Sequence, residues 1–473
     1  MLLALDQGTT GTTCLVVGDD LRPLGRGYRE LRQSFPAPGL VEQDAEEIWQ
    51  TVLGAGEEAL ADAGISAREL TAVGIANQRE TTVVWERASG RAAAPAIVWQ
   101  DRRTAARCAE LPFGLIRERT GLVPDPYFSA TKLEWLLGRM GSVRGLAFGT
   151  VDSWLAWRLT GEHLTDVSNA SRTLLARLDT LEWDDELLGL FGVPPSVLPR
   201  IVPSSGELAE ARLFDARVPL TGIAGDQQAA LFGQACFSPG RVKATYGTGS
   251  FVLANAGVAR PEPADGVLAT AAWQLGGAKP VYALEGSVFV AGAAVQWLRD
   301  GLGLLEDASE TEAAARALDG NDGVYFVPAL TGLGSPHWAP DARGLIAGLT
   351  RGTRREHLVR AALEAIAFQT QDVIAAMGIE PERLRADGGA TANRFLMQFQ
   401  ADVSRVPVEV PVEREATAIG AAALAGLGAG VWAGTDELES LWACDSRYEP
   451  SLEGQEAERL LAGWHDALRR TLA

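Results

Sequence analysis

The chain has 473 residues, and at roughly 100–200 residues per domain that length is too great for one core and suits two or more. Hydrophobic residues make up 47% and charged residues 22%, a globular mix that excludes disorder, collagen and coiled coil. A net charge of −19 speaks against general nucleic-acid binding and against docking on anionic lipid, but not against one anionic small molecule held by a local nest of backbone N–H groups.

From the N-terminus, the apolar runs Leu2–Leu5 and Thr13–Val17 flank Asp6-Gln7-Gly8-Thr9-Thr10-Gly11-Thr12, which predicts strand, glycine turn, strand. The opening apolar run ends at Asp6 with no basic segment before it, so it does not read as a signal peptide. No run approaches the roughly 18 apolar residues of a membrane span. Cys14, Cys108, Cys236 and Cys444 form no CxxC pair and read as free thiols of a reducing compartment. The expectation is a cytoplasmic protein.

Asp44–Ala63 predicts a helix: Asp44 and Glu47 form a capping box, Ile48, Val52, Ala55 and Ala59 share a face, and Gly64 stops it. Strand candidates follow at Thr71–Ala76, Thr82–Trp85 and Ala96–Trp99. In the second half, Val242–Tyr246 and Phe251–Ala254 flank Gly247-Thr248-Gly249-Ser250, a second strand–turn–strand unit. Thr353 and Glu356 predict a capping box for a long helix with Ala362, Ile366, Val373 and Met377 on one stripe and Gly378 at its end. Alternating strand and helix patterns argue an α/β fold. Two similar turns predict two related halves, divided as residues 1–236 and 237–473.

Familiar phosphate binders are excluded by their missing parts. Of three lysines (Lys132, Lys243, Lys279) none precedes Ser or Thr, so there is no P-loop. The protein-kinase signatures and a GxGxxG after the first strand are also missing. His163, His337, His357 and His465 lack metal-ligand spacing.

Six stretches carry chemistry. Asp6-Gln7-Gly8-Thr9-Thr10 reads as a solvated hairpin turn or as a phosphate cradle with a carboxylate for a Mg²⁺ water; the second copy at Gly247-Thr248-Gly249 favours the cradle. Asp226, after the apolar Leu220–Ala224, is placed to cap a helix or to take a proton from a hydroxyl. Asp387-Gly388-Gly389 opens a third glycine turn, an ordinary loop or a flat floor for a nucleoside. Asn77-Gln78-Arg79-Glu80 and Trp99-Gln100-Asp101-Arg102-Arg103 join hydrogen-bonding groups to an aromatic face, as a small polyol requires; core packing is the other reading of Trp99.

With Phe35-Pro36-Ala37-Pro38-Gly39, Asn77–Thr82, Asp125-Pro126-Tyr127-Phe128-Ser129, Asn169-Ala170-Ser171-Arg172-Thr173, Gly225-Asp226-Gln227-Gln228 and Tyr246-Gly247-Thr248-Gly249, the chain resembles the glycerol kinases, within the wider carbohydrate kinases of the actin-like ATPase fold. The resemblance spans nearly the whole sequence and implies two such domains flanking a cleft. It implies the first step of glycerol utilisation, ATP plus glycerol giving ADP plus sn-glycerol 3-phosphate, and a homodimer or homotetramer. Arg79, Glu80, Tyr127, Asp226 and Gln227 would hydrogen-bond glycerol, Trp99 and Phe251 would wall it, and Asp226 would be the general base. Thr9, Thr10, Gly11, Thr12 and Thr248 would contact phosphates, Gly292, Gln296, Gly389 and Asn393 would line the nucleotide site, and Asp6 would hold Mg²⁺ through water. Two departures stand out. Gly11-Thr12-Thr13 replaces a common Ser-Ser-Arg, and the stretch Glu207–Pro219 lacks both the glycine-rich loop that binds fructose 1,6-bisphosphate and a regulatory histidine.

Overall fold

The structure is a computed structural model that describes residues 1–473. Its first half builds a six-stranded sheet from β1 (Leu2–Gln7), β2 (Gly11–Val17), β3 (Pro23–Glu30), β4 (Ala72–Asn77), β5 (Ser205–Leu213) and β6 (Ala216–Gly225), in the order β5-β6-β4-β1-β2-β3. The second half builds a seven-stranded sheet from β7 (Val242–Tyr246), β8 (Ser250–Gly257), β9 (Leu268–Trp273), β10 (Val281–Val288), β11 (Leu384–Asp387), β12 (Val408–Pro411) and β13 (Cys444–Tyr448), in the order β9-β10-β8-β7-β11-β12-β13. In each sheet the strand that precedes the glycine turn joins an antiparallel run, three strands in the first sheet and four in the second, to two parallel strands. The sheets therefore share one topology, that of two actin-like domains.

Alternation along the strands decides what covers each face. Leu3 and Leu5 of β1 and Cys14 and Val16 of β2 pack against α1 (Ala45–Ala63), whose Ile48, Val52, Ala55 and Ala59 form the expected stripe. The Asp44 carboxylate accepts from the Glu46 N–H and Gly64 ends the helix at φ 68°. Glu47 pairs with Arg32 instead, so only half of the expected box forms. The intervening residues, Leu2, Ala4, Leu15 and Val17, pack against a helix from the far end of the chain, α5 (Ala416–Gly428).

Between these helices in sequence come α2 (Asp226–Gly233), α3 (Arg355–Ala376) and α4 (Arg394–Ser404). In α3 the cap is not Thr353, whose hydroxyl accepts from the Thr350 N–H; His357 Nδ1 instead accepts from the Arg354 N–H at 3.0 Å, one residue later than Thr353 and Glu356 predicted. The stretch Glu207–Pro219 is a plain hairpin, with Leu213 opposite Ala216 and only Phe214-Asp215 between them.

α5 and α2 touch through their backbones, because small residues face each other there. A Cβ on Gly420 would collide with the Ala229 carbonyl, and one on Gly74 in β4 with the Ala421 carbonyl. Replacing Gly420 with Val forces the two helices apart, at a cost of about 1–3 kcal/mol. The expected outcome is a lower midpoint of thermal unfolding; an unchanged midpoint would show that the helices part freely.

Candidate active site

The parallel strands end level. Asp6 and Gln7 of β1 stand opposite Ala76 and Asn77 of β4, and Ala224 and Gly225 of β6 align with the same pair. This register brings Asp6, Arg79-Glu80 and Asp226 to one edge of the first sheet. In the second sheet Thr245 stands opposite Asp387, so the Gly247–Gly249 turn lies beside the Gly388-Gly389 turn. Both hairpin turns close the same way: the Gly8 N–H donates to the Gly11 carbonyl and the Gly247 N–H to the Gly249 carbonyl, each at 2.9 Å.

At the first edge lies a buried charge cluster. Arg79 Nε is 3.3 Å from Asp226 Oδ1 and 3.9 Å from Glu80 Oε1. Its Nη2 donates to the Tyr127 hydroxyl at 3.2 Å. Arg79 and Glu80 are 2% and 1% exposed, whereas the Asp226 side chain keeps 28% of its surface open; it is the member of the group that a ligand can reach. Burial raises the Asp226 carboxyl above the usual range, with Arg79 and Lys243 opposing. Asp226 is the first residue of α2 and accepts from the Gln227 N–H at 2.7 Å; the cap position is Gly225 and no side chain caps the helix, so the capping reading of Asp226 does not hold. Glu80 sits at φ 61°, a left-handed conformation costly for a non-glycine residue and common at functional sites.

Aromatic rings line this edge. Trp99 meets Tyr127 edge-on at 5.4 Å and Phe251 at 6.4 Å. Phe251 comes from the second sheet. The Trp99 indole N–H donates to the Thr9 hydroxyl at 2.9 Å, which ties the aromatic wall to the first glycine turn. Gln227 Oε1 accepts from the buried Lys243 Nζ, leaving its amide N–H groups as donors.

Other parts of the expected set are arranged differently. Thr10 is exposed at the turn, but the Thr12 hydroxyl bonds Thr51 at 2.8 Å inside the core against α1. A phosphate contact by the Thr12 side chain is thereby excluded in this conformation, because alternation points it away from the cleft. A side chain at Gly11 would strike the Tyr28 ring. Asn77 and Gln78 are not site residues either: Asn77 pairs with Asn169, and Gln78 donates to Gln7 and Gln43 beneath the turn. Asp101 and Arg103 pair with each other.

Thr248, Gly292, Gln296, Gly389 and Asn393 all line one cavity of about 500 Å³ beside the second turn. Asn393 caps α4 with its side-chain oxygen and donates to Thr311, so it shapes this wall from a fixed position.

The chemistry of the donor set fits Mg²⁺. No group of three or more His, Cys, Asp or Glu could cage a metal ion. The Asp6 carboxyl is held well above its ordinary range by burial, then by Asp226 and Glu415, a charge conflict that a cation relieves. A single carboxylate beside a phosphate cradle suits an ion that keeps most of its waters.

Two site groups were not anticipated. Glu285 in β10 takes both terminal nitrogens of Arg79, and Lys243 supports Gln227. Burial pushes the Glu285 carboxyl up, but Arg172 and Arg79 outweigh it and hold the group at about 2. Burial lowers Lys243 to about 8. The available signals were slight: a lone acid in the apolar run Tyr282–Val288, and lysine itself in an arginine-rich chain.

Comparison with known proteins places this geometry. Residues 1–233 match the N-terminal domain, and residues 242–429 the C-terminal domain, of the FGGY family of carbohydrate kinases. The chain belongs to that family. It is 51% identical over 490 residues to "Glycerol kinase 2" of Thermotoga maritima, covering 100% of this chain and 98% of the relative. It is 54% identical over 489 residues to the glycerol kinase of Trichlorobacter lovleyi, covering 99% and 98%. Among solved structures, glycerol kinase of Plasmodium falciparum with ADP superposes with a TM-score of 0.93 at 35% identity, over 100% of this chain and 98% of that one. Xylulose kinase from Rhodospirillum rubrum superposes at 0.88 and 25% identity, over 99% and 98%.

Proposed function

We propose that this chain transfers the γ-phosphoryl group of ATP to a terminal hydroxyl of glycerol, releasing ADP and sn-glycerol 3-phosphate. The observation that carries the reading is the unbroken run of contacts from the half-open Asp226 through Arg79 and Tyr127 to the rings of Trp99 and Phe251. Polar groups there meet hydroxyls and rings meet C–H bonds, with room at the carboxylate for one proton. Full-length identity to relatives named glycerol kinase supports the same acceptor.

In this reading Arg79, Glu80, Tyr127 and Gln227 hold the hydroxyls. Asp226 accepts the proton of the attacking hydroxyl as its oxygen bonds phosphorus. The turn amides, with Thr9, Thr10 and Thr248, hold phosphate oxygens. The Thr9 oxygen already accepts from Trp99, so its O–H is directed elsewhere. Gly292, Gln296, Gly389 and Asn393 seat the nucleotide. Mg²⁺, when bound, neutralises charge on the phosphates, and Asp6 holds it through water. Phosphoryl transfer asks mainly for positioning and charge neutralisation, which amides and a cation supply without a P-loop lysine. Residues 1–236 supply most contacts to acceptor and phosphates, residues 237–473 seat the nucleotide and add Thr248 and Phe251, and approach of the two lobes excludes water as a competing acceptor. A cytoplasmic homodimer or homotetramer belongs to the same proposal; no helix is long and apolar enough to cross a membrane.

ADP release measured against glycerol, dihydroxyacetone, xylulose and erythritol tests the acceptor: glycerol gives the highest kcat/KM, and release independent of any acceptor would overturn the reading. Asp226→Asn lowers kcat by about 10²–10⁴-fold while calorimetry finds ADP affinity retained; near-normal turnover would remove Asp226 from the chemistry. Trp99→Ala raises the glycerol KM by about tenfold, as loss of a half-buried ring implies, and an unchanged KM would reduce Trp99 to core packing. Because Glu207–Pro219 is a tight hairpin, fructose 1,6-bisphosphate leaves the initial rate unchanged; inhibition at sub-millimolar concentration would contradict this.

A further inference from the structure

One charged side chain beside the acceptor edge has no role in the reading above. Glu285 lies in β10, fully buried. Its Oε2 accepts from Arg79 Nη1 at 2.5 Å and its Oε1 from Arg79 Nη2 at 3.0 Å. Oε1 also accepts from Arg172 Nη2 at 3.1 Å, and Arg172 Nε donates to Glu80 Oε1 at 2.7 Å. The fork–fork pair of Arg79 and Glu285 fixes the plane of the Arg79 guanidinium. The remaining hydrogens on Nη1 and Nη2 go to Gln228 and Tyr127, and only the Nε edge faces Asp226.

The alternative arrangement shows what Glu285 does. Arg79, Arg172 and Lys243 balance Glu80, Glu285 and Asp226, three charges against three. Without the Glu285 charge, Arg79 is drawn with two prongs onto Asp226, the nearest remaining carboxylate. That pairing closes the open face of Asp226, which the acceptor proton needs, and draws Arg79 away from Tyr127. Glu285 stands in the second sheet, while Arg79, Glu80, Arg172 and Asp226 all belong to the first half. The restraint therefore acts across the two lobes.

We propose that Glu285 is a positioning residue for phosphoryl transfer: from the second sheet it takes both Nη atoms of Arg79 and so limits the contact of Arg79 with Asp226 to the single Nε edge. The inference rests on the acceptor reading given above. Glu285→Gln keeps the shape and removes the charge. The expected result is a glycerol KM raised about ten- to a hundredfold, the effect of losing a charge-assisted pair, and a kcat reduced about tenfold, with the ATP KM within about twofold of wild type. Glu285→Asp, which restores the charge with shorter reach, recovers part of the glycerol KM. A role in folding alone would lower the thermal midpoint and leave the ratio of the two KM values untouched, and that result would overturn the proposal. A crystal structure of the wild-type chain with glycerol tests it without any variant: both Nη atoms of Arg79 on Glu285 support it, and Arg79 swung away from Glu285 overturns it. Wild-type enzyme inactive on glycerol would overturn both readings, whereas active wild type with an unaffected Glu285→Gln overturns this one only.

Discussion

Where the two sheets meet, Arg79 and Glu285 are withdrawn from water together. Each alone would cost several kcal/mol to bury, and leaving either unpaired would be worse than having neither. The pair is tolerated because its geometry is bidentate and because Arg172, Gln228 and Tyr127 satisfy what remains. From this constraint follow the seat of Tyr127, whose hydroxyl accepts from Arg79, and the isolation of Asp226 as the open carboxylate. Strand register supplies the rest: three parallel strands that end level deliver their loops to one line.

The same logic governs the division of labour between lobes. The first sheet contributes most polar contacts to the acceptor edge, but Phe251 and Glu285 reach it from the second. The Trp99–Thr9 bond then links the acceptor wall to the first phosphate turn. The proposed acceptor and phosphate regions are thus joined by a direct hydrogen bond.

Much of this was legible in the sequence, for local reasons. The runs around the two glycine turns and the stripe of α1 are periodic patterns readable within twenty residues, and the resemblance placed Arg79, Tyr127, Trp99 and Asp226 at one site. What escaped was either a rotation or a distant partner. Thr10 stands in the turn, whereas Thr12 is already in β2, on the face of Cys14 and Val16, and that position rather than residue type sends its hydroxyl to Thr51. Glu47 and Thr353 satisfied a capping pattern but found stronger or nearer partners in Arg32 and Thr350. Glu285 lies 206 residues from Arg79, a separation over which a single sequence carries no pairing signal. Asn77 and Gln78 looked as functional as Arg79 beside them, yet their amides serve the scaffold under the turn.

α5 bears on how the chain comes into being. The six strands that it shelters are complete by Gly225, but α5 itself begins only at Ala416. During synthesis the first sheet therefore waits with one oily side bare while nearly two hundred further residues leave the ribosome. Severing the polypeptide between the lobes would make that exposure permanent, so the protein's two halves, alike in topology, are not separable pieces.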